Sequence, residues 1–209
     1  FITANVPVDI DGNIYGAVTI GTQEWMSENL RTTKYSDGTA ILNFMDIGFY
    51  EWENLTTGAW SYYDGNNQYD TIYGKLYNGY TASDSRNVCP TGWHVPTDAE
   101  WNTLTDYLGA NGHNGTEGTV LKATSGWLPN DDTGENGNGT DDYGWNGLPG
   151  GSMYNSAFAE IGRFSKWWSS SISNVSKGAW YRGLGYTADS VTRGSNNKNE
   201  NFYIRCLRD

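Results

Sequence analysis

Residues 89–109, with the sequence CPTGWHVPTDAEWNTLTDYLG, decide how the chain folds. Thr97 and Glu100 stand three positions apart directly before an apolar run, which is the capping-box pattern that begins a helix. Apolar residues then recur at helical spacing: Trp101, Leu104 and Leu108. Gly109 is of the residue type that commonly ends a helix. The stretch therefore predicts a helix over residues 98–108 with one buried face.

Strand patterns lie on both sides of this helix in the sequence. Residues 1–32 predict an antiparallel β meander, because two glycine-containing turn signals separate short runs of alternating apolar residues. Three segments near the end of the chain alternate in the same way and predict strands, at residues 164–172, 178–186 and 201–209. Residues 167–209 are therefore predicted to hold the C-terminal strands of the fold.

The remaining patterns complete the prediction of the fold class. Helical spacing recurs at Tyr73, Leu76, Tyr77 and Tyr80. It predicts a second short helix over residues 72–82, and the Gly, Asn and Asp residues of 109–150 predict long loops. A chain of 209 residues is expected to form a single domain, residues 1–209. The sequence thus predicts an α+β domain with two short helices, antiparallel strands and long ordered loops.

The charge and hydropathy of the chain bear on its partners. A net charge of −11 argues against nucleic-acid binding, because contacts to phosphates need a surplus of Lys and Arg. No apolar stretch approaches about 18 residues, so no membrane span is expected. Residues 1–162 hold 5 basic and 21 acidic side chains, whereas residues 163–209 hold 8 basic and 3 acidic ones. Either the two segments neutralise each other across the fold, or the C-terminal segment presents a separate binding surface.

The chain contains two cysteines, Cys89 and Cys206, which lie 117 positions apart. They form no CxxC pair and only two histidines accompany them, so a structural zinc site is not supported. A disulfide, two buried free thiols and a catalytic thiol all remain open. An even cysteine count in an aromatic, Lys-poor chain is typical of exported proteins, in which disulfides form. The alternation of residues 201–209 places Cys206 on one face with Phe202 and Ile204, as a disulfide in the core requires.

No pattern in the sequence points to a catalytic site. The motifs GxSxG and HExxH are missing. His94 lies between Trp93 and Val95, which favours a packed, hydrogen-bonded imidazole rather than a catalytic one. A glycosidase would need two carboxylates across a cleft. The 24 acidic residues neither exclude that possibility nor support it.

An acidic loop with the sequence NDDTGENGNGTDD occupies residues 130–142. Calcium prefers oxygen ligands, and a bound cation would relieve the repulsion between the carboxylates. The spacing differs from that of an EF-hand, so a solvated loop without metal is the alternative. The candidate calcium ligands are Asp131, Asp132, Glu135, Asp141 and Asp142.

Seven motifs follow one another along nearly the whole chain. They are DIDGNIYGAVTIGTQEWMSENLRT (9–32), YGKLYNGYTA (73–82), the stretch 89–109 quoted above, GLPGG (147–151), WWSSS (167–171), AWYR (179–182) and FYIRCLRD (202–209). Together these motifs resemble the Fibrobacter succinogenes major paralogous domain family.

This resemblance implies a C-type-lectin-like fold, in the variant shared with formylglycine-generating enzymes. One disulfide in that fold ties the first helical region to the final strand, and Cys89 and Cys206 match those two positions. Formylglycine-generating relatives use a cysteine pair for oxidase chemistry, and here no cysteine is left for it. The resemblance also implies a bacterial domain that is secreted or attached to the cell surface, with its signal segment absent from this sequence.

Some relatives with this fold bind ligands through a diversified C-terminal segment, which here would be residues 167–201. Tyr offers a stiff contact surface and Asn and Ser offer adaptable hydrogen bonds, as in antibody loops, although the same residue types also form ordinary loops. The candidate ligand-binding residues are Ser173, Asn174, Tyr181, Thr187, Asp189, Ser195, Asn196, Asn197 and Asn199. Gly183 and Gly185 depart from the family pattern, which has bulky aromatics there.

We therefore expect an exported recognition or adhesion domain without catalytic activity, which binds a glycan or a protein through its exposed C-terminal segment. Two alternatives belong to other classes of function. A carbohydrate-active enzyme would show two carboxylates within about 5–10 Å in a deep cleft. A purely structural module of a bacterial surface assembly would show a wide apolar patch instead of a polar pocket.

Overall fold

The computed structural model of the chain describes residues 6–47, 51–52, 54–155, 157–174 and 177–209. Short helices and many short strands alternate along these ranges, and nearly all strand pairs are antiparallel. The predicted α+β class is therefore confirmed. Residues 1–5 of the predicted 1–32 meander lie outside the described ranges.

The described residues contain four short α-helices, where the sequence predicted two. The helices are α1 (Asp70–Tyr73), α2 (Gly79–Ala82), α3 (Asp98–Leu108) and α4 (Glu117–Leu121). Only α3 is longer than two turns, so packing of the strands and loops defines most of the architecture.

The strands form three sheets. They are β1 (Ala17–Ile20), β2 (Gln23–Met26), β3 (Leu42–Asn43), β4 (Ala59–Ser61), β5 (Leu76–Asn78), β6 (Trp93–His94), β7 (Ser152–Tyr154), β8 (Ala157–Ala159), β9 (Phe164–Ile172), β10 (Gly178–Gly185), β11 (Thr192–Asn197), β12 (Asn201–Phe202) and β13 (Leu207–Arg208). The strand orders are β1-β2-β13-β6, β3-β4-β5-β12-β7-β8 and β11-β10-β9. Only the β3–β4 pair is parallel among the described strand pairs.

Helix α3 begins as the sequence predicts. The Thr97 hydroxyl accepts a hydrogen bond from the Glu100 amide at 3.2 Å, and the Glu100 carboxylate accepts one from the Thr97 amide at 2.7 Å. This is a complete capping box. The helix ends at Leu108 with Gly109 as its C-cap, so the predicted bounds 98–108 are confirmed. Gly109 keeps a right-handed conformation and the chain continues into a wide turn, in which Asn111 and Gly112 leave the helical path, Gly112 with a φ of 96°.

The predicted helix over residues 72–82 is wrong. Gly74 ends α1 with a φ of 78°, and the chain then extends as β5 between β4 and β12. A Cβ at Gly74 would lie 2.8 Å from the Cβ of Asn29, so the close approach of these two segments requires glycine. Asn78 then caps α2 by accepting a hydrogen bond from the Thr81 amide at 3.0 Å.

The last nine residues pass between two hydrophobic cores. Residues 201–209 were predicted as one strand, but they form β12 and β13 with an irregular stretch between them. The predicted alternation is nevertheless confirmed. Phe202, Ile204 and Cys206 lie in one core, and Tyr203 and Leu207 lie in the other. Both faces of this segment are buried, which explains why it carries almost no exposed side chain.

A disulfide joins this segment to the chain before α3. The Cα atoms of Cys89 and Cys206 lie 6.0 Å apart, and the two sulfurs are bonded. Both residues are buried. The two thiol alternatives that the sequence left open are therefore excluded.

A buried arginine links the last segment to the chain after β2 and to the chain before β7. Arg205 is 1 % exposed, and its guanidinium stacks on the Trp145 ring with Cζ 3.9 Å from the ring centroid. The side-chain oxygen of Asn29 accepts hydrogen bonds from Nε and Nη2 of Arg205, at 3.2 and 2.8 Å. The same oxygen accepts one from the Trp167 indole at 2.7 Å. Burial lowers the pKa of Arg205 to about 9, which still leaves it charged at neutral pH.

We predict that Asn29→Ala lowers the free energy of unfolding by about 3 kcal/mol or more, because it removes the oxygen that accepts two hydrogen bonds from a buried guanidinium and one from a buried indole N–H. Urea unfolding measures the change. Asn67→Ala is the matched control, since Asn67 is exposed, and it is expected to change stability by less than about 0.5 kcal/mol. Equal stabilities for the two variants would contradict this account of the Arg205 site.

We predict that replacing both cysteines, Cys89→Ser with Cys206→Ser, lowers the free energy of unfolding by about 3–5 kcal/mol. The physical reason is that a cross-link over 117 positions restricts the unfolded chain. Urea unfolding with and without reductant checks this. Reductant is expected to bring the parent protein to the stability of the double variant and to leave the variant unchanged. A parent protein whose stability does not respond to reduction would refute the prediction.

Candidate functional site

The C-terminal strands β9, β10 and β11 form a sheet with one free edge. Strand β10 lies in the centre, and a bulge between Ala179 and Tyr181 interrupts its pairing with β9. Strand β11 pairs with β10 over its full length, from Thr192 opposite Gly183 to Asn197 opposite Gly178. Because β11 is the outermost strand, this sheet has one free edge.

One face of this sheet packs against the N-terminus of α3 through a charged cluster. Arg182 is 2 % exposed and donates to the Asp98 carboxylate at 2.8 Å and to the Asn102 side-chain oxygen at 2.6 Å. Arg193, directly opposite on β11, donates to the same carboxylate at 3.0 and 2.8 Å and stacks on Trp180. Two guanidinium groups thus share one carboxylate, which leaves one positive charge in excess.

The environment of Asp98 alters its pKa in two opposing directions. Burial raises the pKa, while the hydrogen bonds and charges of Arg193 and Arg182 lower it, and the net result lies below the ordinary value of 3.8. Burial also lowers the pKa of Arg182, against the opposing effect of Asp98. Since an arginine begins far above neutral pH, the whole cluster is ionised at pH 7.

A groove of about 470 Å³ opens beside this cluster. Its walls are α3 on one side and strands β10 and β11 on the other, and the loop that leads into α4 closes its end. The polar residues in its lining are Asn102, Thr105, Asp106, Asn114, Glu117, Arg182 and Arg193. The groove therefore contains charges of both signs.

A second, smaller cavity of about 230 Å³ lies under the loop that follows β10, and we call it the polar pocket. Its residues come from α4, from the acidic loop and from the chain after β10. They are Thr119, Lys122, Asn130, Glu135, Asn136, Asn138, Tyr186, Thr187 and Asp189. Every one of these side chains carries a polar atom, so the pocket can offer many hydrogen bonds to a ligand.

Lys122 fixes the loop that covers the polar pocket. Its ammonium group is buried and donates to the carbonyl oxygens of Gly185 and Ala188, at 3.2 and 3.1 Å. Burial lowers the pKa of Lys122. Helix α4 holds the same loop from the side, because the Thr119 amide and hydroxyl donate to the backbone and carboxylate of Asp189, each at 2.9 Å.

Several polar atoms in this pocket have no hydrogen-bond partner among the described residues. The side-chain oxygens of Asn130, Asn136 and Asn138 accept bonds from nearby backbone amides, but their side-chain nitrogens donate to nothing. The Thr187 hydroxyl is exposed and equally unbonded. Asp189 uses only one carboxylate oxygen. The pocket therefore presents both hydrogen-bond donors and acceptors to solvent.

The structure distributes the nine predicted ligand-binding residues over several places. Thr187 and Asp189 line the polar pocket. The three residues on β11 are Ser195, Asn196 and Asn197, which are half-buried or exposed, and Asn174 is exposed beyond β9. These residues do not form one continuous surface.

The other three predicted ligand-binding residues are engaged within the fold. Ser173 is buried. The Tyr181 ring is half-buried and packs edge-on against Phe202 at 5.1 Å. The Asn199 side chain donates to the carbonyl oxygens of Trp52 and Leu55. A ligand could reach these three only after they give up present contacts.

Gly183 and Gly185, which depart from the family pattern, are both buried. A Cβ at Gly185 would lie 2.9 Å from the Phe164 ring. The space that a bulky residue would need at this position is thus taken by Phe164.

The five acids proposed as calcium ligands do not converge. Asp131 pairs with Arg163 and accepts a hydrogen bond from the Tyr186 hydroxyl, and Asp141 accepts one from the Asn146 amide at 2.7 Å. Glu135 faces the polar pocket instead. Within the described ranges, no group of three or more His, Cys, Asp or Glu side chains could hold a metal ion. The arrangement of Asp131, Asp132, Glu135, Asp141 and Asp142 therefore gives the predicted calcium site no support.

Sequence reasoning missed the residues that organise both cavities. Lys122 follows α4 without any recognisable motif, and Asp98 and Arg182 lie 84 positions apart. From the sequence, Asp98 could be assigned only to the first turn of α3, and its arginine partners could not be predicted. His94 is hydrogen-bonded as predicted, to Asp209 at 2.7 Å and to Glu100 at 3.0 Å.

The fold and its cavities define an α+β domain that is closed by one disulfide and carries two polar clefts beside its C-terminal sheet. A family model described as the Fibrobacter succinogenes major domain matches residues 18–208. The chain therefore belongs to this family. No curated protein and no solved structure matches it. Among the described helices, none has the length and apolar character to cross a membrane.

We predict that Asp98→Asn lowers the free energy of unfolding by about 2–4 kcal/mol at pH 7, since it leaves two guanidinium groups without a counter-charge. The pKa of Asp98 is lower in the folded chain than its ordinary value of 3.8. Its ionised form therefore stabilises the fold above that pH, and the contribution is lost as the pH falls through the folded-state pKa.

Urea unfolding of the parent and of Asp98→Asn between pH 7 and pH 2.5 checks this prediction. The difference between them should be constant above about pH 5 and shrink below about pH 4. Asp106→Asn is the control, because the Asp106 carboxylate has no ion-pair partner in the described part of the chain. If the stability difference between the parent and Asp98→Asn did not change with pH, the ionised Asp98 carboxylate would not be the group that stabilises this cluster.

Proposed function

We propose that this chain is an exported recognition domain without catalytic activity, with a C-type-lectin-like fold, and that it binds a glycan in the polar pocket. The observation that carries the proposal is the convergence of unbonded amide nitrogens, the Thr187 hydroxyl and the free carboxylate oxygen of Asp189 around one cavity. Sugar hydroxyls both donate and accept hydrogen bonds, so they match this mixture of donors and acceptors.

The rigidity of the pocket supports binding rather than a loose loop. Lys122 and Thr119 fix the loop 185–189 through four hydrogen bonds to its backbone and to Asp189. A ligand that enters a preformed pocket pays less conformational entropy than one that must order the loop. The Tyr186 ring, which packs against Phe164, adds an apolar surface on which a sugar ring can lie.

The disulfide supports the exported location in this proposal. Disulfides persist in oxidising compartments and are rare where thiols are kept reduced. A surface or secreted location also brings the pocket into contact with glycans. Attachment to the bacterial surface and a role in adhesion are part of the same proposal.

An enzyme that acts on carbohydrates is the alternative that the pocket itself raises. Asp189 and Glu135 both line it, and glycoside hydrolysis uses a pair of carboxylates. Both carboxylates are exposed instead of enclosed in a deep cleft, so we propose binding. A purely structural module would present a wide apolar patch, and the two clefts described above are polar.

A glycan array, followed by titration of the glycans that bind, tests the proposal with Thr187→Val and Asp189→Asn. Thr187→Val keeps the shape of the side chain and removes the hydroxyl, so we expect binding to weaken about ten-fold. The control is Thr192→Val, an exposed position on β11 outside the pocket, for which no change is expected.

The same titration distinguishes the alternatives. Absence of binding to any glycan, or equal binding by Thr187→Val and Thr192→Val, would refute the polar pocket as the site. Appearance of new reducing ends during incubation with the bound glycan would replace the binding proposal with the enzymatic one. In that case Asp189→Asn should abolish product formation while binding persists.

A further inference from the structure

A third cavity, of about 240 Å³, lies between the chain after β2 and helix α1, and we call it the arginine pocket. Its lining includes two exposed residues of α1, Thr71 and Ile72, and two buried residues, Asn29 and Arg205. A ligand that enters from the surface can therefore approach a buried arginine. The whole lining comes from residues 27–31, 71–74 and 146–148 and from Arg205.

One N–H group of Arg205 has no acceptor within the described ranges. An arginine side chain carries five N–H donors. Nε and Nη2 share the side-chain oxygen of Asn29, Nη2 also donates to the Asn146 carbonyl at 3.4 Å, and Nη1 donates to the Trp145 carbonyl. These contacts are four hydrogen bonds, so the second N–H of Nη1 remains for another acceptor.

The positive charge of Arg205 has no counter-charge in the arginine pocket. All of its acceptors are neutral, and no Asp or Glu among the described residues forms an ion pair with it. Glu28 lines the pocket but pairs with Arg31 at 3.2 Å. Asp141 acts on Arg205 from farther away, lies outside the lining and accepts a hydrogen bond from the Asn146 amide. The three charged side chains that line the pocket therefore leave one positive charge in excess.

The rest of the lining suits a small anion that has an apolar part. Within the described ranges, the Ser27 hydroxyl and the Asn146 side-chain nitrogen donate to no protein group, so both are available to a ligand. Ile72 and Leu148 add apolar surface. The volume lies below the roughly 300–1,000 Å³ that is typical of pockets for drug-sized ligands, so the arginine pocket fits a ligand of few atoms or the end of a larger one.

We propose that the arginine pocket binds a small organic carboxylate whose oxygens accept hydrogen bonds from Arg205 and Asn146. A carboxylate carries one negative charge, which equals the excess in the lining. A phosphoryl group carries about −1.5 to −2 charges at pH 7, so its second charge would face Glu28 without a partner. The carboxylate belongs to a free organic acid, a sugar acid or the end of a peptide, and the probes below separate these sources. The proposal is independent of glycan binding in the polar pocket.

Calorimetric titration at low, constant ionic strength tests the proposal with one carboxylate from each source. The probes are propionate, glucuronate and acetyl-alanine, and their neutral controls are propionamide, glucose and acetyl-alanine amide. We expect at least one carboxylate to bind with a Kd below about 5 mM and its neutral control to bind at least about ten-fold more weakly. A Kd above about 5 mM for all three carboxylates, or equal or tighter binding of inorganic phosphate, would overturn the proposal.

Substitutions at the surface of the pocket change its charge without removing a buried contact. Glu28→Gln removes the acidic group of the lining and frees Arg31, so we expect the carboxylate to bind at least about three-fold more tightly. Ile72→Glu adds a negative charge, so we expect it to bind at least about three-fold more weakly than the matched variant Ile72→Gln. Ile172→Glu places the same charge at an exposed position outside the lining and should leave binding unchanged. Unchanged affinity of Glu28→Gln, or equal affinities of the two Ile72 variants, would overturn the proposal.

Nuclear magnetic resonance locates the bound carboxylate in the parent protein, without any substitution. We expect the carboxylate to shift the Nε–H signal of Arg205 and the amide signals of residues 27–31, 71–74 and 146–148, which line the pocket. A carboxylate that binds without shifting the Arg205 signal would refute the assignment of the guanidinium as its partner. Shifts confined to residues 185–189 would place the acid in the polar pocket, and this result would also overturn the proposal.

Discussion

A buried positive charge held by neutral oxygen atoms is the constraint on which the rest of the structure depends. The Arg205 guanidinium lies between two hydrophobic cores and is held by the side-chain oxygen of Asn29 and by the Trp145 carbonyl. Such a charge is tolerated only when its geometry leaves few N–H groups unpaired. Asn29, Trp145 and Arg205 come from distant parts of the sequence, so this one side chain fixes three segments relative to each other.

The disulfide adds a covalent constraint to the same segment. Cys206 follows Arg205 directly, and its partner Cys89 precedes α3. The last nine residues are thereby held on both faces and across the chain. Strands β9 to β11 build outward from this fixed segment, because the Trp168 amide donates to the Tyr203 carbonyl and Trp168 stacks on Phe202. The inner strand of the sheet is anchored in the core, and its outer strand remains accessible.

The sequence predicts local features of this fold better than distant ones. The start of α3 depends on residues three positions apart, and the alternation of residues 201–209 depends on strand geometry alone, so both could be predicted. The end of α1 could not be predicted from the sequence, because it depends on the close approach of Gly74 to Asn29. The disulfide could be proposed because the chain offers a single cysteine pair.

The candidate site shows the same limit more strongly. Residue types placed Thr187 and Asp189 in a binding segment, and both line the polar pocket. The same reasoning counted Tyr181 and Asn199 as contacts, although the core and two backbone carbonyls occupy them. The residue types determine which atoms can form hydrogen bonds. The fold determines which of those atoms already have a partner within the protein.

The loop 186–191 connects the polar pocket to the groove beside α3. Asp189 lines the polar pocket and Val191 lines the groove beside β11. A Cβ at Gly118 would lie 2.7 Å from the carbonyl oxygen of Asp189, so α4 and this loop pack backbone against backbone. Contacts this close leave little room for independent movement of the two ends. Because Lys122 and Thr119 hold the loop from inside, the shape of the polar pocket and the shape of the groove depend on the same set of hydrogen bonds.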